Sequence, residues 1–160
     1  MKILMVCLGN ICRSPIAEGI LKHKISKAGL TWQVDSAGTN GYHVGEAPHW
    51  LSQKVSLENG IDISRQRSRL FIPDDFDKFD IIYAMANNVI AEMKLISKEK
   101  FDRSKVDLLM NELKPGANLD ITDPWYGPEA GYRQVFDLIE KACEAMIKNH
   151  SQPQQLIPTL

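Results

Sequence analysis

After Lys2, residues 3–8 form an unbroken apolar run, Ile-Leu-Met-Val-Cys-Leu, followed at once by a short polar loop and then a helical pattern. An apolar stretch of that length reads as a strand covered on both faces. It is too short for a membrane span or the apolar core of a secretion signal. Residues 9–14, Gly-Asn-Ile-Cys-Arg-Ser, make the loop, and Ser14-Pro15 reads as a helix cap with proline at the first helical position. Ile16, Ile20, Leu21, Ile25 and Ala28 then recur at helical spacing until Gly29. Strand, loop and helix in this order are the opening half of a β-α-β unit.

The same alternation continues. Strands are expected at 31–36, 79–85 and 105–110, and helices at 48–59 and 88–97. A final helix carries the stripe Tyr132, Val135, Phe136, Ile139, Ala142, Cys143, Met146 and Ile147. The basic stretch Ser64–Arg69 reads as a solvated turn or short helix, and residues 111–127 as a long loop of the kind that carries function. The expectation is a single-domain α/β fold: an open parallel sheet of about four strands with helices on both faces. Residues 1–149 form the domain, and 150–160 are expected to be a flexible tail. Ligands in such sheets bind beyond the carboxyl ends of the strands, which directs attention to the loop after strand 1.

Several function classes recede on composition. The net charge of −1 supplies no global positive field, so no nucleic acid or membrane partner is expected. The three cysteines, Cys7, Cys12 and Cys143, are too few and odd in number for a disulfide framework, and Cys143 on the last stripe reads as a core thiol. His23, His43, His49 and His150 are scattered without metal-ligand spacing and read as surface or loop residues, so no metal or other cofactor is expected. Without a secretion signal, a cytoplasmic location is expected.

Cys7 and Arg13 stand in a Cys-x₅-Arg pattern between the strand and the helix. A loop there can point successive backbone N–H groups inward to cradle a tetrahedral oxyanion, with the helix dipole behind it. Gly9 eases the tight backbone path. Arg13 can fold back and clamp two equatorial oxygens with its planar fork. The same field favours the thiolate of Cys7, a nucleophile poised beneath a bound phosphoryl group. Ser14 can donate to the sulfur, and Asn10 can brace the loop. An alkoxide or phenoxide leaves poorly unless protonated, so an acid is needed opposite the nucleophile. Asp123, heading Asp-Pro-Trp-Tyr-Gly in the long loop, is the candidate. The neighbouring rings of Trp125 and Tyr126 are positioned to shield its carboxyl from water and to flank a phenyl ring.

The segments 6–18, 34–38, 44–45 and 123–127 resemble the low-molecular-weight protein tyrosine phosphatase family, in order and spacing, over residues 1 to about 149. The resemblance implies Cys7 as nucleophile, Arg13 as phosphate clamp and Asp123 as general acid. It implies substrate contacts from Leu8, Gly9, Asn10, Ile11, Cys12, Ser14, Tyr42, Trp125 and Tyr126, with Asn10, Ser14 and Ser36 holding the loop. It also implies that Cys12 protects an oxidised Cys7 by forming a disulfide with it. The implied substrate is a phosphotyrosine-containing protein or a small aryl phosphate, with inorganic phosphate and similar oxyanions as inhibitors. Three departures stand out: Trp125 replaces the usual tyrosine, Arg65 stands where some family members carry a supporting histidine, and Ala86-Asn87-Asn88 stands where many relatives have Asp-Glu or Asp-Lys. No role is carried over to these last positions.

Three alternatives remain at this level. An arsenate reductase on the same fold needs two further relay cysteines, and only Cys143 lies outside the loop. A protein-arginine phosphatase resembles the family with threonine in place of Ile11, whose branched apolar side chain suits a flat phenyl ring better. A non-enzymatic phosphate-binding scaffold is expected to lack one of Cys7, Arg13 and Asp123, and all three are present.

Overall fold

In the computed structural model, which describes residues 1–151, four parallel strands make one sheet: β1 (Lys2–Cys7), β2 (Gln33–Gly38), β3 (Ile81–Ala84) and β4 (Val106–Leu108). Their order is β2-β1-β3-β4. The chain leaves β1 for one side and later returns to pair β3 on its other side, so a crevice opens at the carboxyl end of β1. The helices are α1 (Arg13–Ala28), α2 (Trp50–Glu58), α3 (Asp75–Lys78), α4 (Asn87–Ser97), α5 (Met110–Leu113) and α6 (Glu129–Ser151).

Alternation along the strands divides the core into two layers. Ile3, Met5 and Tyr83 face Ile16, Ile20 and Leu21 of α1 together with Tyr132, Phe136, Ile139, Cys143 and Met146 of α6. Leu4, Val6, Ile82 and Ala84 face the other way, onto Phe71, Phe76, and Val89 and Met93 of α4. Helices therefore cover both faces, as expected. Cys143 is fully buried among these side chains, and burial pushes its thiol up to about 12.

Several boundaries differ from expectation. The first helix begins at Arg13 with Cys12 in the cap position, so Ser14 and Pro15 lie inside the first turn. Ser14 is drawn to the sulfur of Cys7 instead of to a helix N–H. Ala28 faces solvent at the frayed end, before Gly29 turns left-handed (φ 66°) and closes the helix on Ile25 and Ser26. β2 runs two residues further than its alternation suggested, because Ala37 and Gly38 stay in register with Val6 and Cys7. The expected fourth strand gives way after Leu108 to a helical turn, α5, which takes in Met110 and the first three residues of the long loop. Residues 64–69 form no helix. The last helix continues through His150 and Ser151, into the expected tail; residues 152–160 lie outside the described residues.

Candidate active site

The loop at residues 7–14 is built by satisfying its carbonyls from outside. The N–H groups of Thr39 and Asn40 donate to the carbonyls of Cys7 and Leu8 (both 3.0 Å), and the Ser68 hydroxyl to that of Gly9 (3.0 Å). His49 N–H donates to Ile11 O (2.7 Å), and the Ser52 hydroxyl to Cys12 O (3.3 Å). Each carbonyl so engaged turns its peptide outward. Among the described residues, no backbone N–H of Gly9, Asn10, Ile11 or Cys12 has a protein acceptor. Donors left free in this way are available to an anion.

Two residues pay for the tight path. Asn10 adopts φ 55°, a left-handed conformation that asparagine tolerates better than most residues. Gly38 lies against the loop: a Cβ there would come within 2.6 Å of Leu8 O and 3.0 Å of Asn10. Only glycine permits that approach.

Behind the nest runs a buried polar chain. Asn10 Nδ2 donates to Ser14 Oγ (2.8 Å) and Ser36 Oγ (3.0 Å), and Asn10 Oδ1 accepts from Arg69 N–H (3.0 Å). Ser14 Oγ lies 3.0 Å from Cys7 Sγ. Ser36 donates to the buried carboxylate of Glu18 (2.5 Å), which Lys22 pairs from the solvent side (2.5 Å). Glu18 was not singled out from the sequence; its signal was a carboxylate among the buried residues of α1.

Arg13 is 3% exposed and donates through Nη1 to Ile121 O (2.9 Å), while Nη2 lies 3.6 Å from Asp123 Oδ2. Ile121 is buried, and its N–H donates to Met85 O (2.8 Å) at the end of β3. Asn87 pins the same segment, its backbone N–H and its amide both meeting Asp120 Oδ1 (2.7 Å) and the amide also reaching Asn118 O (3.0 Å). Position 87, left without a role above, anchors residues 118–120, just before the segment that carries Asp123. The rings of Trp125 and Tyr126 do not enclose the Asp123 carboxyl. Its side chain is 38% exposed, because the loop turns tightly on itself and Tyr126 projects into solvent.

One pocket gathers most of the expected residues: Cys7, Leu8, Gly9, Ile11, Cys12, Arg13, Tyr42, Asp123, Trp125 and Tyr126, with Asn40 and His43 added. Asn10, Ser14 and Ser36 stand behind the pocket wall, so they support the loop without facing the cavity. Arg65 lies apart, on a surface hollow shared with Glu18 and Lys22. Cys12 Sγ lies 3.6 Å from the Tyr132 hydroxyl, and burial pushes its thiol up to about 12. His43 and His49, expected as simple loop residues, both pack against Trp125.

The arrangement places a thiol at the floor of an oxyanion nest, a guanidinium at its wall and a carboxyl group at its mouth. It can bind a tetrahedral dianion, attack it from below and protonate what leaves above.

Comparison with known proteins bears on this geometry. The family described as low molecular weight phosphotyrosine protein phosphatase matches residues 2–156. A low molecular weight phosphotyrosine protein phosphatase of Homo sapiens is 34% identical over 149 residues, covering 91% of this chain and 93% of that protein. The crystal structure of a protein tyrosine phosphatase from Entamoeba histolytica, with Hepes in its active site, superposes with a TM-score of 0.85 at 35% identity, covering 94% and 97% of the two chains. The arginine phosphatase YwlE, solved as a mutant with a phosphorylated active-site serine, superposes with a TM-score of 0.87 at 25% identity, covering 96% and 98%.

Proposed function

This chain belongs to the low molecular weight phosphotyrosine protein phosphatase family, a family of cysteine-dependent hydrolases, and we propose that it hydrolyses phosphotyrosine and aryl phosphomonoesters through a phosphocysteine intermediate formed on Cys7. The observation that carries this reading is that the N–H groups of residues 9–12 lack protein acceptors among the described residues, while the carbonyls of Cys7, Leu8, Gly9, Ile11 and Cys12 are bonded from outside the loop.

The reaction follows from the placement. The nest and the Arg13 fork hold three phosphoryl oxygens, and the Cys7 thiolate attacks phosphorus in line with the ester oxygen. The S–P bond forms as the P–O bond breaks, and Asp123 gives its proton to the leaving phenol. Water then attacks phosphorus with the Asp123 carboxylate as base. The thiolate leaves, held by the Ser14 hydroxyl at 3.0 Å, and orthophosphate is released. Inorganic phosphate and related oxyanions compete for the same nest.

Tyr42, 86% exposed, and Tyr126, 95% exposed, stand at the mouth as surfaces for the substrate ring. Ile11 beside the nest favours an aryl phosphate over a phosphoguanidine. Phosphotyrosyl peptides and phosphoarginine, compared at equal concentration, test this: faster hydrolysis of phosphoarginine overturns the tyrosine assignment.

Redox protection belongs to the same proposal. Oxidation of the Cys7 thiolate by peroxide gives a sulfenic acid, and the neighbouring Cys12 thiol condenses with it, forming a disulfide and releasing water. A reducing cytoplasm suits a site that works through a free thiolate. No helix among the described residues is long and apolar enough to cross a membrane.

A further inference from the structure

The segment that carries Asp123 is shaped from within but tied down at few points. Trp125 N–H donates to Asp123 Oδ1 (3.1 Å) and Gly127 N–H to Pro124 O (3.0 Å), both inside the segment. Among the described residues, the Arg13–Asp123 pair is the one polar link from residues 122–127 to the rest of the protein. The other links are apolar, the buried Pro124 and the Trp125 indole. Trp125 is 38% exposed, whereas its neighbour Tyr126 is 95% exposed, because the indole lies between two imidazoles. The His43 ring stands 5.4 Å from it, tilted by 52°, and the His49 ring 5.3 Å from it at 71°. Both distances fall in the range of attractive aromatic pairs.

Each imidazole is itself fixed to the phosphate-binding loop. His49 Nδ1 accepts from Leu51 N–H (3.1 Å) as the cap of α2, and its backbone N–H holds Ile11 O. Its ring stacks on buried Tyr132 (5.1 Å, 18°), whose hydroxyl meets Cys12. A ring whose Nδ1 accepts a backbone N–H is the neutral tautomer, with its proton on Nε2. Burial, which lowers the pKa of His49, acts in the same direction. His43 is held by Glu46 (2.8 Å), and its Cδ2 packs on Gly9, where an added Cβ would approach to 3.1 Å.

We propose that His43 and His49 form a slot that seats Trp125 and so positions the Asp123 carboxyl over the phosphate-binding loop, which makes them positioning residues for proton donation. The inference rests on the reading of Asp123 as the acid. The slot couples the loop after β4 to the loop after β1 without a hydrogen bond, through one indole beside the buried Pro124. Tyr126 is left free for the substrate.

A double-mutant cycle between the slot and the indole is the test, read as kcat/KM for phenyl phosphate, whose leaving group needs a proton, and for p-nitrophenyl phosphate, whose leaving group needs little help. His43→Ala is expected to lose about tenfold on phenyl phosphate and about twofold on p-nitrophenyl phosphate. His49→Asn, which keeps a cap acceptor for Leu51 N–H but removes the ring, is expected to follow the same pattern. In a Trp125→Ala background either substitution adds less than about twofold, and His43→Phe, which keeps a ring against the indole, recovers most of the loss. Equal losses on both substrates, or a histidine effect that persists without Trp125, overturn the slot. Asp123→Asn, run alongside, separates the two readings. If its loss is the same on both substrates, the assignment of the acid fails and the slot with it. If its loss is selective for phenyl phosphate while the histidine variants match the parent, the slot alone fails.

Discussion

The two halves of the active site are built differently. The loop at residues 7–14 is almost wholly buried and bonded from four directions, by segments 39–40, 49–52 and 68–69 and by the Ser36–Glu18 chain. The loop at 122–127 is largely exposed and is held by one ion pair, the Trp125 indole and the buried Pro124. The difference fits the two tasks. Donors that stabilise a developing charge act best when they cannot relax away from it, so the nest is over-determined. A proton donor must meet leaving groups of different shape and then serve water, so it sits on a segment with room to adjust.

That contrast predicts graded consequences. Cys7→Ser removes the nucleophile and is expected to lower turnover by at least about 10⁴-fold, while the intact nest continues to bind inorganic phosphate in a titration. Loss of phosphate binding as well would mean that the sulfur, and not the N–H cradle, holds the anion. Asp123→Asn is expected to lower kcat/KM by roughly 10²–10⁴ for phenyl phosphate and far less for p-nitrophenyl phosphate. An equal loss on both substrates would move the acid elsewhere.

Breaking the support of the rigid half should cost stability as well as rate. Asn10→Gly keeps the left-handed backbone but strips partners from Ser14, Ser36 and the Arg69 N–H. It is expected to lower unfolding stability by about 1–3 kcal/mol and to slow turnover, both measured on the same sample. In contrast, Tyr126→Ala in the exposed half is expected to leave the unfolding midpoint unchanged. A variant of Asn10 that turns over slowly at full stability would show that the network tunes the sulfur without holding the loop.

The two loop thiols give the smallest and most selective effect. Burial pushes the Cys12 thiol up to about 12, so alkylation at pH 7–8 should spare Cys12 and modify Cys7 first. Peroxide is expected to inactivate the enzyme reversibly, with dithiothreitol restoring activity and phosphate protecting it. Cys12→Ser should keep substantial activity but recover poorly after the same exposure. Full recovery of that variant would reduce Cys12 to packing.

The contrast also explains what could be read from the sequence. The rigid half was legible because its chemistry is contiguous: Cys7, Arg13 and the strand and helix that frame them lie within a short stretch, and the alternation of strands and helices gave the sheet. Its supports were harder to see. Ser64–Arg69 looked like a solvated basic turn, yet Ser68 and the backbone of Arg69 brace Gly9 and Asn10, while the Arg69 side chain joins Asp35 to Asp75. Glu18 was quoted within the motif but given no role, since only the fold brings Ser36 to it across the β1–β2 register. In the exposed half Asp123 was legible from Asp-Pro and two aromatics. Asn87, His43 and His49 were not, because each acts through partners at least 31 residues distant in the chain. Scattered histidines carry no spacing to read.

The central claim is the covalent intermediate on Cys7, and rapid mixing with p-nitrophenyl phosphate tests it most directly. The account predicts a burst of p-nitrophenol stoichiometric with enzyme, unchanged by EDTA, and phosphate recovered on the Cys7 peptide after acid quench. A linear time course with Cys7 unlabelled, or turnover that stops when divalent metal is chelated, would contradict it.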